Sequence, residues 1–249
     1  MAGHSQFKNI MHRKGAQDSR RSRLFAKLAR EIAIAAHAGV PDPAMNARLR
    51  TAMANARAAN MSREAIERAI KRASGSADGP GFAEVRYEGF GPGGVAIIVD
   101  TLTDNRNRTG ADVRGVFVKH GGALGDSGSV AYLFRRVGSI AYAPEAASAE
   151  DMLDGGIEAG ADDVQSTAQG HTVTCAPDAL NEVREALERC FGPPESARLA
   201  WQLQVPVPVE GEAAERLLKL LQTLEDNDDV EDVSANYEIS EKLLERLNP

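Results

Sequence analysis

The hydrophobic period of this chain changes once, at "SGSADGPG" (74–81), and that change restricts the fold more than any other feature. Before it, apolar residues recur every three or four positions, the spacing of helices packed on one face. "AQDSRRSRLFAKLAREIAIAAHAG" ends at Gly39 with Pro41 beyond, a helix stop. Asp42-Pro43 reads as the cap and first residue of a second helix carrying Met45, Leu49, Ala52, Met53 and Ala56. Ser62 caps a third, striped by Ala65, Ile66, Ala69, Ile70 and Ala73. After the linker, short apolar and alternating runs read as strands. "EVRYEGF", the buried "GVAIIVDTL", the helix "NRTGADVRGVFVKHGG" and the strand "GSVAYLFRR" make β-β-α-β.

"GSIAYAP" then starts a second unit. A helix at about 149–159, the hairpin "DDVQSTAQG"/"HTVTCAP", the helix "DALNEVREALERC" and the strand "SARLAWQLQV" give β-α-β-β-α-β, the ferredoxin-like order. The tail, "PVPVE", a Leu-rich helix and "VEDVSANYEI", has no local partner and can complete the half-sheet left open at residue 136. The expected fold is α+β, with a helical N-terminal domain followed by two α/β domains of ferredoxin-like βαβ character. The expected domains are 1–75, a discontinuous 76–136 plus 205–249, and an inserted 137–204. Pro206 and Pro208 would mark the return crossing.

Charge separates these regions. The chain is acidic overall, net −7, yet residues 1–75 carry +10, residues 76–136 are neutral and residues 137–249 carry −17. A basic end on an acidic body is the footprint of a protein that meets a polyanion at one edge. Counting about 100° per residue from Arg20, the cations Arg23, Lys27 and Arg30 fall on one side of the first helix. Leu24, Phe25, Leu28 and Ile32 fall on another. Lys8, His12, Arg13, Lys14 and Arg21 extend the positive field. A solvated face normally mixes signs; a stripe of one sign fits phosphate contacts. The second and third helices around "ANMS" have a helix-turn-helix outline, but Glu64 and Glu67 sit on the would-be recognition helix, and helical packing alone explains the pattern. "TDNRNRT" (103–109) joins a buried strand to a helix, and Arg106 and Arg108 there are a second phosphate-binding candidate beside a capped-turn reading.

Other motifs carry less. "GFGPGG" opens a strand rather than a helix, so it is a tight loop and not a dinucleotide fingerprint. "GDSGS" (125–129) resembles the nucleophile loop of trypsin-like proteases without a triad, and reads as a turn. "EDNDDVED" lacks the ligand spacing of a calcium loop. His171 and Cys175 are too few for zinc, and two cysteines make no disulfide framework. No apolar run approaches the ~20 residues of a membrane span. We expect no catalytic set, no metal and no cofactor.

The segments "MAGHSQFKNIMHRKGAQDSRRSRLFAKLAREI", "ANMSREAIERAIKR", "YEGFGPGGVAIIVDTLTDNRNRT" and "GGALGDSGSVAYLF" together resemble the YebC/PmpR family, which includes the mitochondrial translational activator of cytochrome c oxidase subunit I. The match runs the length of the chain and is strongest over its first 135 residues. Two positions depart from the pattern: Phe7 replaces the usual Trp and Met11 a common Lys. The resemblance implies three domains, no enzyme activity, and binding of nucleic acid, either DNA in transcriptional regulation or ribosomal or transfer RNA at the ribosome. It implies that Lys8, His12, Arg13, Lys14, Lys27, Arg30, Arg106 and Arg108 are binding residues. The family pattern begins at Met1, so no presequence and a cytoplasmic location are expected. The rival reading is a small-molecule-sensing regulatory module built on ferredoxin-like domains.

Overall fold

The computed structural model describes residues 17–74 and 81–239. Three helices come first, α1 (Gln17–Ala38), α2 (Ala47–Ala58) and α3 (Arg63–Ser74). Ile32, Ala33, Ala35 and Ala36 of α1 are buried against Leu49, Ala52 and Ala56 of α2 and Ile66 and Ala69 of α3. The abundance of alanine lets the helix backbones approach closely.

Helix α2 starts later than the Asp42-Pro43 signal implies. Asn46 is the cap, its Oδ1 accepting from Leu49 N at 3.0 Å. Its Nδ2 also donates to Ala35 O at 2.7 Å and Val40 O at 3.0 Å, so one side chain closes α1 and opens α2. Asp42 instead holds a turn, accepting from Ala44 N and Met45 N. Met45 is therefore 76% exposed and not part of the apolar stripe, and Leu24 is 46% exposed. Ser62 caps α3 as expected, accepting from Ala65 N at 3.3 Å. Asn60 (φ 61) takes the left-handed position that glycine often fills between helices.

The rest is α+β. The elements are β1 (Ala83–Phe90), β2 (Ala96–Thr103), α4 (Arg106–Lys119), β3 (Ala123–Leu124), β4 (Phe134–Tyr142), α5 (Ala149–Glu158), β5 (Asp163–Thr167), β6 (Gly170–Cys175), α6 (Leu180–Phe191), β7 (Ser196–Leu203), β8 (Val207–Pro208), α7 (Gly211–Glu225), β9 (Val230–Ala235) and β10 (Tyr237–Glu238). Contacts group them into two compact units. One contains Phe82–Arg135 and residues 201–239; the other contains the three helices and Arg136–Ala200.

In the first unit the sheet order is β3-β1-β2-β9. Strand β2 is buried on both faces, which explains its unbroken apolar run. Ile97 and Val99 join the core with Phe117 of α4 and Leu217, Leu220 and Leu224 of α7. Ala96 and Ile98 face Val130 and Phe134, with Trp201 and Leu203 packed alongside. The "GFGPGG" loop closes with Gly91 N donating to Val95 O at 2.7 Å, and a Cβ at Gly91 would press on Ile97 and Leu217. Helix packing, not ligand binding, accounts for that glycine. The C-terminal strand breaks at Asn236. Strand β9 pairs antiparallel with β2, whereas β10 pairs parallel with β8. Asn236 holds the break, its Oδ1 accepting from Ala96 N and its Nδ2 donating to Val205 O.

"GSVAYLFRR" and "GSIAYAP" are not two strands. Ala131–Leu133 form a 3-10 turn, and a single strand, β4, then runs from Phe134 through Tyr142. The cause is Glu88. Its carboxylate accepts from Gly128 N, Val130 N and Ala131 N at 2.9, 2.9 and 3.0 Å, which removes those donors from any ladder. The "GDSGS" segment is thus a loop wrapped on a buried carboxylate.

In the second unit, β4, β5, β6 and β7 form a sheet of order β5-β6-β4-β7, the ferredoxin-like arrangement. Helices α5 and α6 supply Met152, Val183 and Leu187 to a core with Ile140 and Val173. Helix α2 is fastened to this sheet by amides. Asn55 pairs with the Ala197 backbone like a strand edge, Nδ2 to O at 2.9 Å and N to Oδ1 at 3.0 Å. Thr51 Oγ1 donates to Asn181 Oδ1 at 2.8 Å.

Candidate nucleic-acid interface

The stripe on α1 is the feature that sequence and structure share. Arg23, Lys27 and Arg30 lie four and three residues apart on one helix that is continuous from Gln17 to Ala38. Such positions are neighbours on a helix surface. Ile32, Ala33, Ala35 and Ala36 face the bundle core, while Arg23 is exposed and Lys27 and Arg30 are half-buried. Lys8, His12, Arg13 and Lys14 lie outside the described residues, as do the side chains of Arg20 and Arg21.

Glu31 is the acid nearest the stripe in sequence, and it is already occupied. Arg48 of α2 grips it in a two-pronged pair, Nε to Oε1 at 2.8 Å and Nη2 to Oε2 at 3.1 Å. This pairing offsets a negative charge that would dilute the stripe. No local signal announces it, since the residues are seventeen positions apart.

Arg106 and Arg108 open α4, well separated in sequence from α1. Asn105 is the cap, accepting from Arg108 N at 3.1 Å. Arg106 is exposed. Arg108 is tied down: its Nη2 donates to Asp104 Oδ1 at 2.8 Å and to Asp229 Oδ2 at 2.7 Å. Asp229, 7% exposed, also meets the hydroxyls of Thr109 and Thr103, at 2.7 and 3.3 Å. The "EDNDDVED" run therefore contains a structural joint between α4 and the β9 side of the sheet. Replacing Asp229 with Asn removes the charge that Arg108, Thr103 and Thr109 share. We expect a loss of about 1–2 kcal/mol, since Arg108 is half exposed and its share is screened. Urea unfolding at neutral pH measures it.

The sites of the rival chemistries are occupied structurally. Cys175 is fully buried, and burial pushes its thiol up to about 11, an unreactive state. His171 is held by Ser166 Oγ and Pro144 O. No group of three His, Cys, Asp or Glu able to hold a metal occurs among the described residues. Two concavities, of about 260 Å³ beside Arg50 and Arg57 and about 380 Å³ beside Phe191, are open to solvent rather than enclosing. No helix among the described residues is long and apolar enough to cross a membrane.

Comparison with known proteins identifies the family. Residues 5–76 match the family model described as the TACO1/YebC protein N-terminal domain, and residues 82–237 match the transcription-regulator model described as the TACO1/YebC second and third domain. The chain belongs to the TACO1/YebC family. A solved relative, the conserved hypothetical protein Aq1575 from Aquifex aeolicus, is 48% identical, with a TM-score of 0.87 over 93% of this chain and 96% of that one. The family assignment gives the chain a regulatory role in the broad sense. Membership confirms the resemblance read from the four quoted segments. The Arg48–Glu31 pair and the Asp229 joint were not legible in those segments.

Proposed function

We propose that this TACO1/YebC-family protein is a non-enzymatic, cytoplasmic regulator of gene expression that docks on nucleic acid through its basic helical domain. The observation that carries the reading is the single-signed stripe of Arg23, Lys27 and Arg30, with Glu31 neutralised by Arg48. Lys8, His12, Arg13, Lys14, Arg20 and Arg21 extend that contact towards the N-terminus. Arg106 provides a second phosphate contact, and Arg108 shares in it only as far as its two carboxylate partners allow. We read the chain as three domains: the helical head, the discontinuous α/β domain and the inserted ferredoxin-like domain. Phosphate contacts position a protein without reading sequence. An acidic body that repels bulk nucleic acid suits a defined ribosomal or transfer-RNA edge better than a scan along DNA. In-cell crosslinking followed by sequencing of the bound nucleic acid tests this. Ribosomal or transfer RNA is the expected catch; discrete promoter DNA would replace the ribosomal reading with a transcriptional one, and no nucleic acid would overturn both.

A further inference from the structure

Helix α5 breaks the rules of a solvent-facing helix on one side. Leu153 and Ile157, one turn apart, are 46% and 64% exposed. Its ten residues hold Glu150, Asp151, Asp154 and Glu158 and no Lys or Arg. Acids belong in the first turn of a helix, where they meet its positive end; Asp154 and Glu158 sit towards the negative end, where they cost stability. Asp151 has a local task at the cap, where its N–H donates to Ser148 Oγ and its carboxylate accepts from that hydroxyl. The carboxylates of Glu150, Asp154 and Glu158 make no hydrogen bond or ion pair among the described residues. The two central glycines are explained by packing, since a Cβ at Gly155 would press on the Phe191 ring and one at Gly156 on Val164. The exposed leucine and isoleucine and the uncompensated acids have no such explanation.

A shallow groove runs beside the same helix. Phe191 and Cys190 line it together with Asp151, Asp154 and Glu158. An aromatic ring among carboxylates accepts the apolar stem and charged head of a Lys or Arg. The charge of this face selects the occupant. Phosphate polymers and anionic lipid surfaces are repelled, and a symmetric contact between two copies would set acid against acid.

We propose that α5 is a docking site for a basic, amphipathic segment of another protein. Its apolar side chains would cover Leu153 and Ile157, and its Lys or Arg residues would pair with Glu150, Asp154 and Glu158. This surface is independent of the α1 stripe and does not rest on the nucleic-acid reading.

The test places the photocrosslinker p-benzoylphenylalanine at Ile157 in the full chain, irradiates cells and sequences the crosslinked segment. The expected product is a protein segment with Lys or Arg flanking apolar residues at helical spacing. Its yield should fall about tenfold in Asp154→Lys/Glu158→Lys and stay unchanged in Arg23→Glu. Leu153→Ser, which changes no charge, should lower it too and serves if the double reversal fails to fold. Crosslinks to nucleic acid, to a second copy or to an acidic segment, no crosslink, or a yield indifferent to both α5 variants would overturn the proposal.

Discussion

Reversing Arg23, Lys27 and Arg30 to Glu lowers affinity for single-stranded RNA on the order of a hundredfold at low salt and flattens its salt dependence. Each phosphate neutralised releases counterions, so every contact adds about −0.7 to the slope of log affinity against log salt on single strands. Removing three should flatten the slope by about 2. The stripe suits this because the three residues share one face of an uninterrupted helix while the opposite side carries the core. The neutral series, Arg23→Gln, Lys27→Gln and Arg30→Gln, separates the two meanings of a loss. Lost contacts appear in the neutral variants as a flatter slope; simple repulsion appears only in the reversals. Thermal melts followed by circular dichroism confirm that the bundle survives. Filter binding across a salt series gives the slopes, and a slope equal to that of the native chain would count against the stripe.

The second large effect is at Glu88. Its side chain is 5% exposed and satisfies three backbone N–H groups at once. Glu88→Ala leaves Gly128, Val130 and Ala131 without their acceptor next to Val130 and Phe134 of the core. Hydrogen bonds to a charged acceptor are worth about 1.5–3 kcal/mol each, so losing three at the lower end of that range gives an expected loss of about 4–5 kcal/mol. Burial alone would raise the carboxyl's pKa, but the three N–H donors outweigh it and hold the value below the ordinary glutamate range. A group whose pKa falls on folding stabilises fully above its unfolded value and loses that contribution as pH drops through the folded value. The native chain should therefore lose stability below about pH 4.5. Glu88→Gln, less stable at neutral pH, should show a flatter acid limb. Denaturant melts from pH 7 to pH 3 measure both, and parallel acid limbs would refute the clamp.

Glu88 also shows where sequence reasoning stops. Period and composition were enough for the three helices, for the doubly buried β2 and for the β-α-β-β-α-β order of the second unit, because each is encoded within a window of ten to twenty residues. The turn at Ala131–Leu133 is encoded forty positions away, in a glutamate that reads locally as an outward residue of β1. Asn46 prevailed over the stronger Asp42-Pro43 signal for a related reason: its amide serves Ala35, Val40 and Leu49 together, and only the folded bundle brings those groups to it. In the site, the one-sided charge of α1 was legible by counting. The pairing of Glu31 with Arg48, which preserves that sign, was not, and nor was the capture of Arg108 by Asp229.

The central claim is that nucleic acid meets this protein on the basic face of α1. Ultraviolet crosslinking of the protein in cells, with mass spectrometry to assign the protein residues bonded to nucleotides, tests it most directly. Adducts should concentrate on the peptide spanning Arg23 to Arg30 and its N-terminal neighbours, with a minor set around Arg106. Adducts confined to the acidic second half of the chain, or none at all, would contradict it.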